Sequence, residues 1–242
     1  PQYGFSHAVK WGVFHAVSAF CNAGFDLFGE LSPGSSLQLF QNDPVVLLTL
    51  GTLIVLGGLG FLVWEDVAEK RCWRKLSVYS RLVLSATGIL LLSGWALICL
   101  LEWNNPETLG SLSVGSKLLG GLFQSATLRT AGFDAMNQAG LTAGGKAVSI
   151  VLMLIGGSSG STAGGLKTVT FLVVLLFIGA RARGRSTVTV YHRTIPEQQV
   201  LNAMTISLIM IVFAVSGGIF ISATSPVGFT DALYEAVSAL AT

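Results

Sequence analysis

Residues 155–171 read IGGSSGSTAGGLKTVTF, and the fold turns on how a membrane accommodates that stretch. It holds five glycines, six hydroxyl residues and a single charge, Lys167. On one side lies GKAVSIVLML and on the other LVVLLFIGA, both apolar enough for lipid. Drawn as one straight helix at about 1.5 Å per residue, residues 147–180 would run about 50 Å, against a hydrocarbon core of roughly 30 Å. The segment is therefore expected to break, and the Gly/Ser run marks the break. Irregular backbone at membrane depth is tolerated only where it is buried in protein or lines water.

The rest of the chain supports a bilayer setting. Its 242 residues are 52% hydrophobic and 11% charged, with a mean hydropathy of +0.70. A soluble domain carries about 25% charged residues. The three cysteines, Cys21, Cys72 and Cys99, are odd in number and lack metal-ligand spacing, which argues against a disulfide framework or a zinc site. No nucleophile–base pair stands out, so neither an enzyme nor a covalently bound cofactor is expected, and nothing points to nucleic acid. Uncharged runs at 44–64, 82–101 and 198–230, the last with its apolar core near 200–223, each suffice to cross. Trp11, Trp64 and Trp103 near span ends read as interfacial anchors. The loop 65–81 carries five Lys/Arg and the loop 181–197 four Arg, which places both on the cytoplasmic side. The outer connection 102–146 is too long to be structureless.

A repeat organises these spans. FHAVSAFCN at 14–22 aligns with YEAVSALAT at 234–242, and AGFD at 23–26 recurs at 131–134. Three copies of one unit thus recur roughly 110 residues apart. Each unit reads as an outward helix, a short re-entrant helix (about 14–21 in the first), a glycine turn and an inward helix. The first copy lacks its outward helix and the third stops before its glycine, so further sequence is expected at both ends. Glycine permits φ > 0, letting successive carbonyls point one way. Carbonyls aimed at an axis can replace the water shell of a monovalent cation. Asn22, Ala23, Gly24 and Phe25 fit that task, as do Thr130, Ala131, Gly132 and Phe133, with Thr242 opening a third segment. Asp26 and Asp134 fall at the outer mouth, either to concentrate cations or to cap a turn. Arg129 should point away from the axis as a brace, and His15 and Glu235 occupy equivalent helix positions.

In the opening stretch, Gly156, Gly157, Gly160, Gly164 and Gly165 lower the cost of backbone change. Ser158, Ser159, Ser161 and Thr162 can satisfy freed backbone groups, with Ala163 between the two halves. Lys167 is open to two readings, a charge at a gate or a lysine snorkelling to the interface. GSTAGGLKT resembles a phosphate-binding loop, but Leu166 interrupts it between Gly165 and Lys167.

SAFCNAGFDLF, SATLRTAGFD and GGSSGSTAGGLKT resemble the potassium-transporter superfamily of Trk, Ktr and plant HKT proteins. The last two are most similar to the membrane subunit of bacterial Ktr systems. The resemblance implies an all-α polytopic membrane protein of M1–pore helix–M2 units, this chain being a fragment of a four-repeat pseudo-fourfold pore. Residues 1–76 would be the second repeat, 77–197 the third and 198–242 the start of the fourth. It further implies K+ uptake through a carbonyl filter, sodium dependence and a gate formed by 156–165 with Lys167. A homodimer in the plasma or inner membrane, and a cytosolic nucleotide-binding regulatory ring, are implied as well. The rival reading is a secondary sodium or cation transporter with broken midplane helices, which would require inverted repeats. The sequence leaves K+ against Na+ open.

Overall fold

A computed structural model describes residues 4–191 and 193–241. Helix α1 (Phe5–Phe20) buries Trp11, His15, Ser18 and Ala19, one stripe at helical spacing, against α2 (Pro44–Leu59). At 16 residues, about 24 Å, it is too short to cross but starts nine residues before the expected Phe14. Lys10 and His7 interrupt the apolar pattern there without interrupting the helix. The segment joining α1 to α2 folds back through short 3-10 turns at Phe28–Glu30 and Gln38–Phe40. Helix α2 starts firmly: Pro44 occupies its first turn, and the Asp43 carboxylate accepts from the amides of Val45 (2.9 Å) and Val46 (3.2 Å).

The run 44–64, expected as one span, is not one straight helix. It bends by 92° where α2 gives way to α3 (Phe61–Lys70). The hinge is Gly60, at φ 84°, which a side-chain-bearing residue adopts only at a cost. Apolar residues continue on both sides, so hydropathy conceals the corner.

The long helices α4 (Val78–Glu102) and α8 (Glu197–Thr224) are long and apolar enough to cross. Helix α5 (Val114–Thr127) packs on α4, and α9 (Phe229–Ala241) on α8. Helices α6 (Ala143–Leu154) and α7 (Thr168–Ala182) are the two halves of the segment expected to break, and they are separated by an irregular loop over 155–167. The basic loop after α7 holds a two-residue hairpin that the sequence did not announce, Thr189–Val190 against Arg193–Thr194. Leu208, Phe213 and Phe220 of α8 are exposed, as lipid-facing side chains of a spanning helix must be.

The outer connection is organised by Glu102, which is fully buried. Its Oε2 accepts from Asn105 Nδ2 (2.6 Å) and Thr108 Oγ1 (2.8 Å), and its Oε1 from Thr142 N (3.0 Å) and Thr142 Oγ1 (2.6 Å). One carboxylate thus ties the end of α4 to the start of α6, where the helix dipole favours negative charge. A Glu102→Ala change leaves the Asn105, Thr108 and Thr142 donors unmatched and should lower stability by about 2–4 kcal/mol. Glu102→Gln, which keeps one oxygen, should cost less. Thermal unfolding in detergent reads both, and an alanine variant melting with wild type would refute the assignment.

Candidate functional site

The two AGFD turns repeat each other in backbone as well as in sequence. After α1, Asn22 and Gly24 have φ of 51° and 69°, and after α5 the equivalent Thr130 and Gly132 have φ of 71° and 80°. Asparagine tolerates the left-handed region, whereas a β-branched residue there is a genuine outlier. Thr130 pays about 1–2 kcal/mol for it, so other contacts must hold it in place.

The turns touch. A methyl group at Gly24 would lie 2.6 Å from the Ala131 carbonyl oxygen and 3.0 Å from Gly132 Cα. Each is tethered from behind by a hydroxyl on its own helix. Ser18 Oγ donates to the Phe25 carbonyl (2.8 Å). Thr127 Oγ1 donates to the Phe133 carbonyl (2.8 Å) and accepts from the Phe133 amide (2.9 Å). His15 adds a further brace: Nδ1 lies 2.6 Å from the Trp11 carbonyl and Nε2 accepts from the Leu27 amide at 3.2 Å, which assigns the proton to Nδ1.

A cavity of about 230 Å³ opens beside the second turn, lined by Thr130, Gly132 and Asp134 on one side and Glu235, Ser238 and Ala241 on the other. The end of α9 therefore faces the turn that follows α5; Thr242 itself lies outside the described residues. In the wall of this cavity Gln138 Oε1 accepts from Gln124 Nε2 (2.7 Å) and from the Tyr234 hydroxyl (2.9 Å), joining α5, the segment after its turn and α9. Asp134 lines the cavity, while the Asp26 carboxylate accepts from the Phe28 amide (2.9 Å) in a local turn.

Directly against these turns lies the 155–167 loop. Its base is closed by two backbone bonds, Gly156 N to Leu166 O (2.9 Å) and Leu166 N to Leu154 O (3.0 Å). Arg129, buried after α5, donates to Gly156 O (3.3 Å) and Thr168 Oγ1 (3.2 Å), so the guanidinium reaches the loop's base. Lys167 Nζ donates to Ala163 O (2.6 Å), folding back within the loop.

The loop's tip completes the corner in α2. Helix ends leave carbonyls without partners. Here Gly57 O accepts from Thr162 N (3.4 Å), Gly58 O from Ser158 N (3.0 Å) and Leu59 O from Ser158 Oγ. In return the Phe61 amide, at the start of α3, donates to Gly160 O (3.1 Å). From α4, Tyr79 OH donates to Ser159 O (2.9 Å). Upward, Thr162 Oγ1 reaches Phe20 O and Asn22 Nδ2, both at 2.9 Å, and Gly164 N reaches Thr130 Oγ1 at 3.1 Å. Gly57 and Gly60 allow this close approach, but inside an apolar run the glycines at 57, 58 and 60 did not mark the corner. Tyr79, Thr127 and Gln138 carried no signal that a single sequence reveals.

A polytopic α-helical membrane protein, with short helices ending in paired glycine turns stacked on an irregular loop, is the class these features define. Comparison with known proteins narrows it. The chain belongs to the TrkH family of cation transport proteins, whose family model matches residues 2–242. It is 39% identical to the Ktr system potassium uptake protein B of Vibrio alginolyticus, covering 100% of this chain and 52% of that protein. It is 36% identical to the protein of the same name in Bacillus subtilis and 35% identical to the potassium/sodium uptake protein NtpJ of Enterococcus hirae, in each case over 100% of this chain and 53% of the relative. The chain therefore spans about half the length of these relatives. The crystal structure of the potassium transporter TrkH from Vibrio parahaemolyticus superposes with a TM-score of 0.67 at 19% identity, over 87% of this chain and 45% of that one, a likeness of fold. The relatives are transporters, not enzymes.

Proposed function

We propose that the full-length protein takes up K+ across the cell membrane through a filter of main-chain carbonyls. Asn22, Ala23, Gly24 and Phe25 form one segment of it and Thr130, Ala131, Gly132 and Phe133 another, while the loop with Gly156, Ser158, Thr162, Gly165 and Lys167 gates the path. The observation that carries this reading is the backbone contact between the two turns, left-handed at the same two positions in each. Alternating the sign of φ along consecutive residues lets their carbonyls face one side, where they can stand in for an ion's water shell. Residues 1–76, 77–197 and 198–242 are then successive repeats around the path. Asp26 and Asp134 sit at its outer mouth and attract cations there.

Coupling to sodium belongs to the same proposal, as do lipid-embedded dimers in the inner membrane and control by a cytosolic nucleotide-binding ring. The basic loops 65–81 and 181–197 are the faces offered to such a ring. The test is Rb+ and Na+ uptake by the full-length protein in cells lacking their own K+ uptake, with external Na+ varied. Wild type should restore uptake, and Gly132→Ser should lower the Rb+/Na+ ratio. A wild-type protein that moves no Rb+ would overturn the reading.

A further inference from the structure

We propose that Thr162 couples the position of the 155–167 loop to ion occupancy of the turns, acting as a positioning residue for both; the inference rests on the filter reading above. Its basis is a correspondence between the repeats. The first residue of each turn, Asn22 and Thr130, is buried, left-handed and not glycine, with φ of 51° and 71°. The loop grips both with residues two apart in sequence, Thr162 on the first turn and Gly164 on the second.

Hydrogen-bond chemistry fixes the direction of the Thr162 contacts. Asn22 Nδ2 can only donate, so the hydroxyl accepts from it, and its own proton goes to the Phe20 carbonyl, each at 2.9 Å. That carbonyl is one that the end of α1 leaves free. The amide of Asn22 has one other contact, from Nδ2 to Ile54 O at 3.4 Å, and its Oδ1 has no partner among the described residues. Thr162 is thus the shorter of two holds on the side chain. On the other side the α2 backbone comes so close that a methyl group at Gly57 would lie 1.9 Å from Phe20 O, which prevents Phe20 from shifting to find another donor.

A displacement of the loop therefore cannot leave the turns untouched. It breaks the contacts to Phe20, Asn22 and Thr130 together, releasing the residue that begins each carbonyl segment. Coupling of this kind is reciprocal: if loop position changes ion affinity, ion binding changes loop position to the same degree. The closed loop pre-orders the turns, so its grip should favour K+ occupancy.

Both directions can be measured on the full-length protein. Thr162→Val keeps the shape and removes the hydroxyl. It should raise the Rb+ concentration for half-maximal uptake about tenfold, as expected for the loss of the two hydrogen bonds to Asn22 and Phe20. Thr162→Ser should restore the wild-type value, and Thr162→Ala should reproduce the valine effect should the valine variant fail to reach the membrane. For the reverse direction, Ser159→Cys is placed at the exposed tip of the loop in a background with Cys21 and Cys72 replaced by serine. K+ should change its rate of thiol modification when Thr162 is present and leave the rate unchanged when valine replaces it. Wild-type uptake with no shift in half-saturation for Thr162→Val, or labelling that follows K+ equally in both backgrounds, would overturn the coupling while leaving the transport reading intact. Absence of wild-type uptake would instead defeat the transport reading.

Discussion

Gly24→Ala should abolish Rb+ uptake in cells that depend on this protein for K+, while the protein still reaches the membrane in normal amounts. Two penalties fall on one methyl group. An alanine at φ 69° costs about 1–2 kcal/mol, and its Cβ would sit 2.6 Å from the Ala131 carbonyl oxygen. Overpacking against rigid neighbours costs a further ~1–3 kcal/mol. Neither turn can retreat. Ala131 and Phe133 are fully buried, Phe133 is held at both its amide and its carbonyl by Thr127, and the Phe25 carbonyl is held by Ser18. A combined cost near 3 kcal/mol reduces the native arrangement of the turns by about a hundredfold. Gly132→Ala should be milder. Its Cβ would meet Gly24 Cα at 3.4 Å, an ordinary contact, so it carries the φ penalty alone. Uptake measured for both variants, normalised to protein in the membrane, checks the order. A Gly24 variant transporting as well as the Gly132 variant would break the argument.

That asymmetry shows where sequence reading stops. The turns were legible because AGFD occurs twice at comparable points in the hydropathy pattern, and each glycine does lie at positive φ. The left-handed backbone of Asn22 and Thr130 was not legible, since neither residue type demands it. Only the closure of each helix into its turn does. Likewise the interruption at 155–167 could be read from composition, because a polar glycine-rich run between apolar helices has no other cheap solution in lipid. The corner at Gly60 escaped because its cause is remote. Phe61, Leu62 and Val63 prolong the apolar run, and what stops α2 is a set of donors and acceptors on a loop about a hundred residues later in the chain. Glu102 escaped for a similar reason. At the end of a span a carboxylate looks like a solvated boundary, and its burial depends on Asn105, Thr108 and Thr142 folding over it.

Those same remote contacts set the second large effect. Removing residues 158–163 should raise Rb+ uptake by about tenfold and make it insensitive to conditions that shut wild type. The deletion takes only the tip. The base bonds between Gly156, Leu166 and Leu154 stay, and the stumps already approach each other: a Cβ at Gly156 would run into the Gly164 carbonyl and lie 3.1 Å from Gly165 Cα. The gap can therefore close without disturbing α6 or α7. The tip, however, supplies the partners of Gly57 O, Gly58 O, Leu59 O and Phe61 N. Four backbone polar groups left at membrane depth cost about 1–3 kcal/mol each unless water reaches them, so water must enter where the loop lay. On the gating proposed above, a hydrated gap beneath the turns opens the path, which is why the expected change is a gain of flux. A gentler variant tests the same contact from outside. Tyr79→Phe removes only the hydroxyl held by Ser159 O, at 2.9 Å, and should give a smaller rise in uptake of the same sign, about two- to fivefold for one weakened anchor. Unchanged or reduced flux in both variants, with wild-type amounts in the membrane, would show that the loop scaffolds the path without closing it.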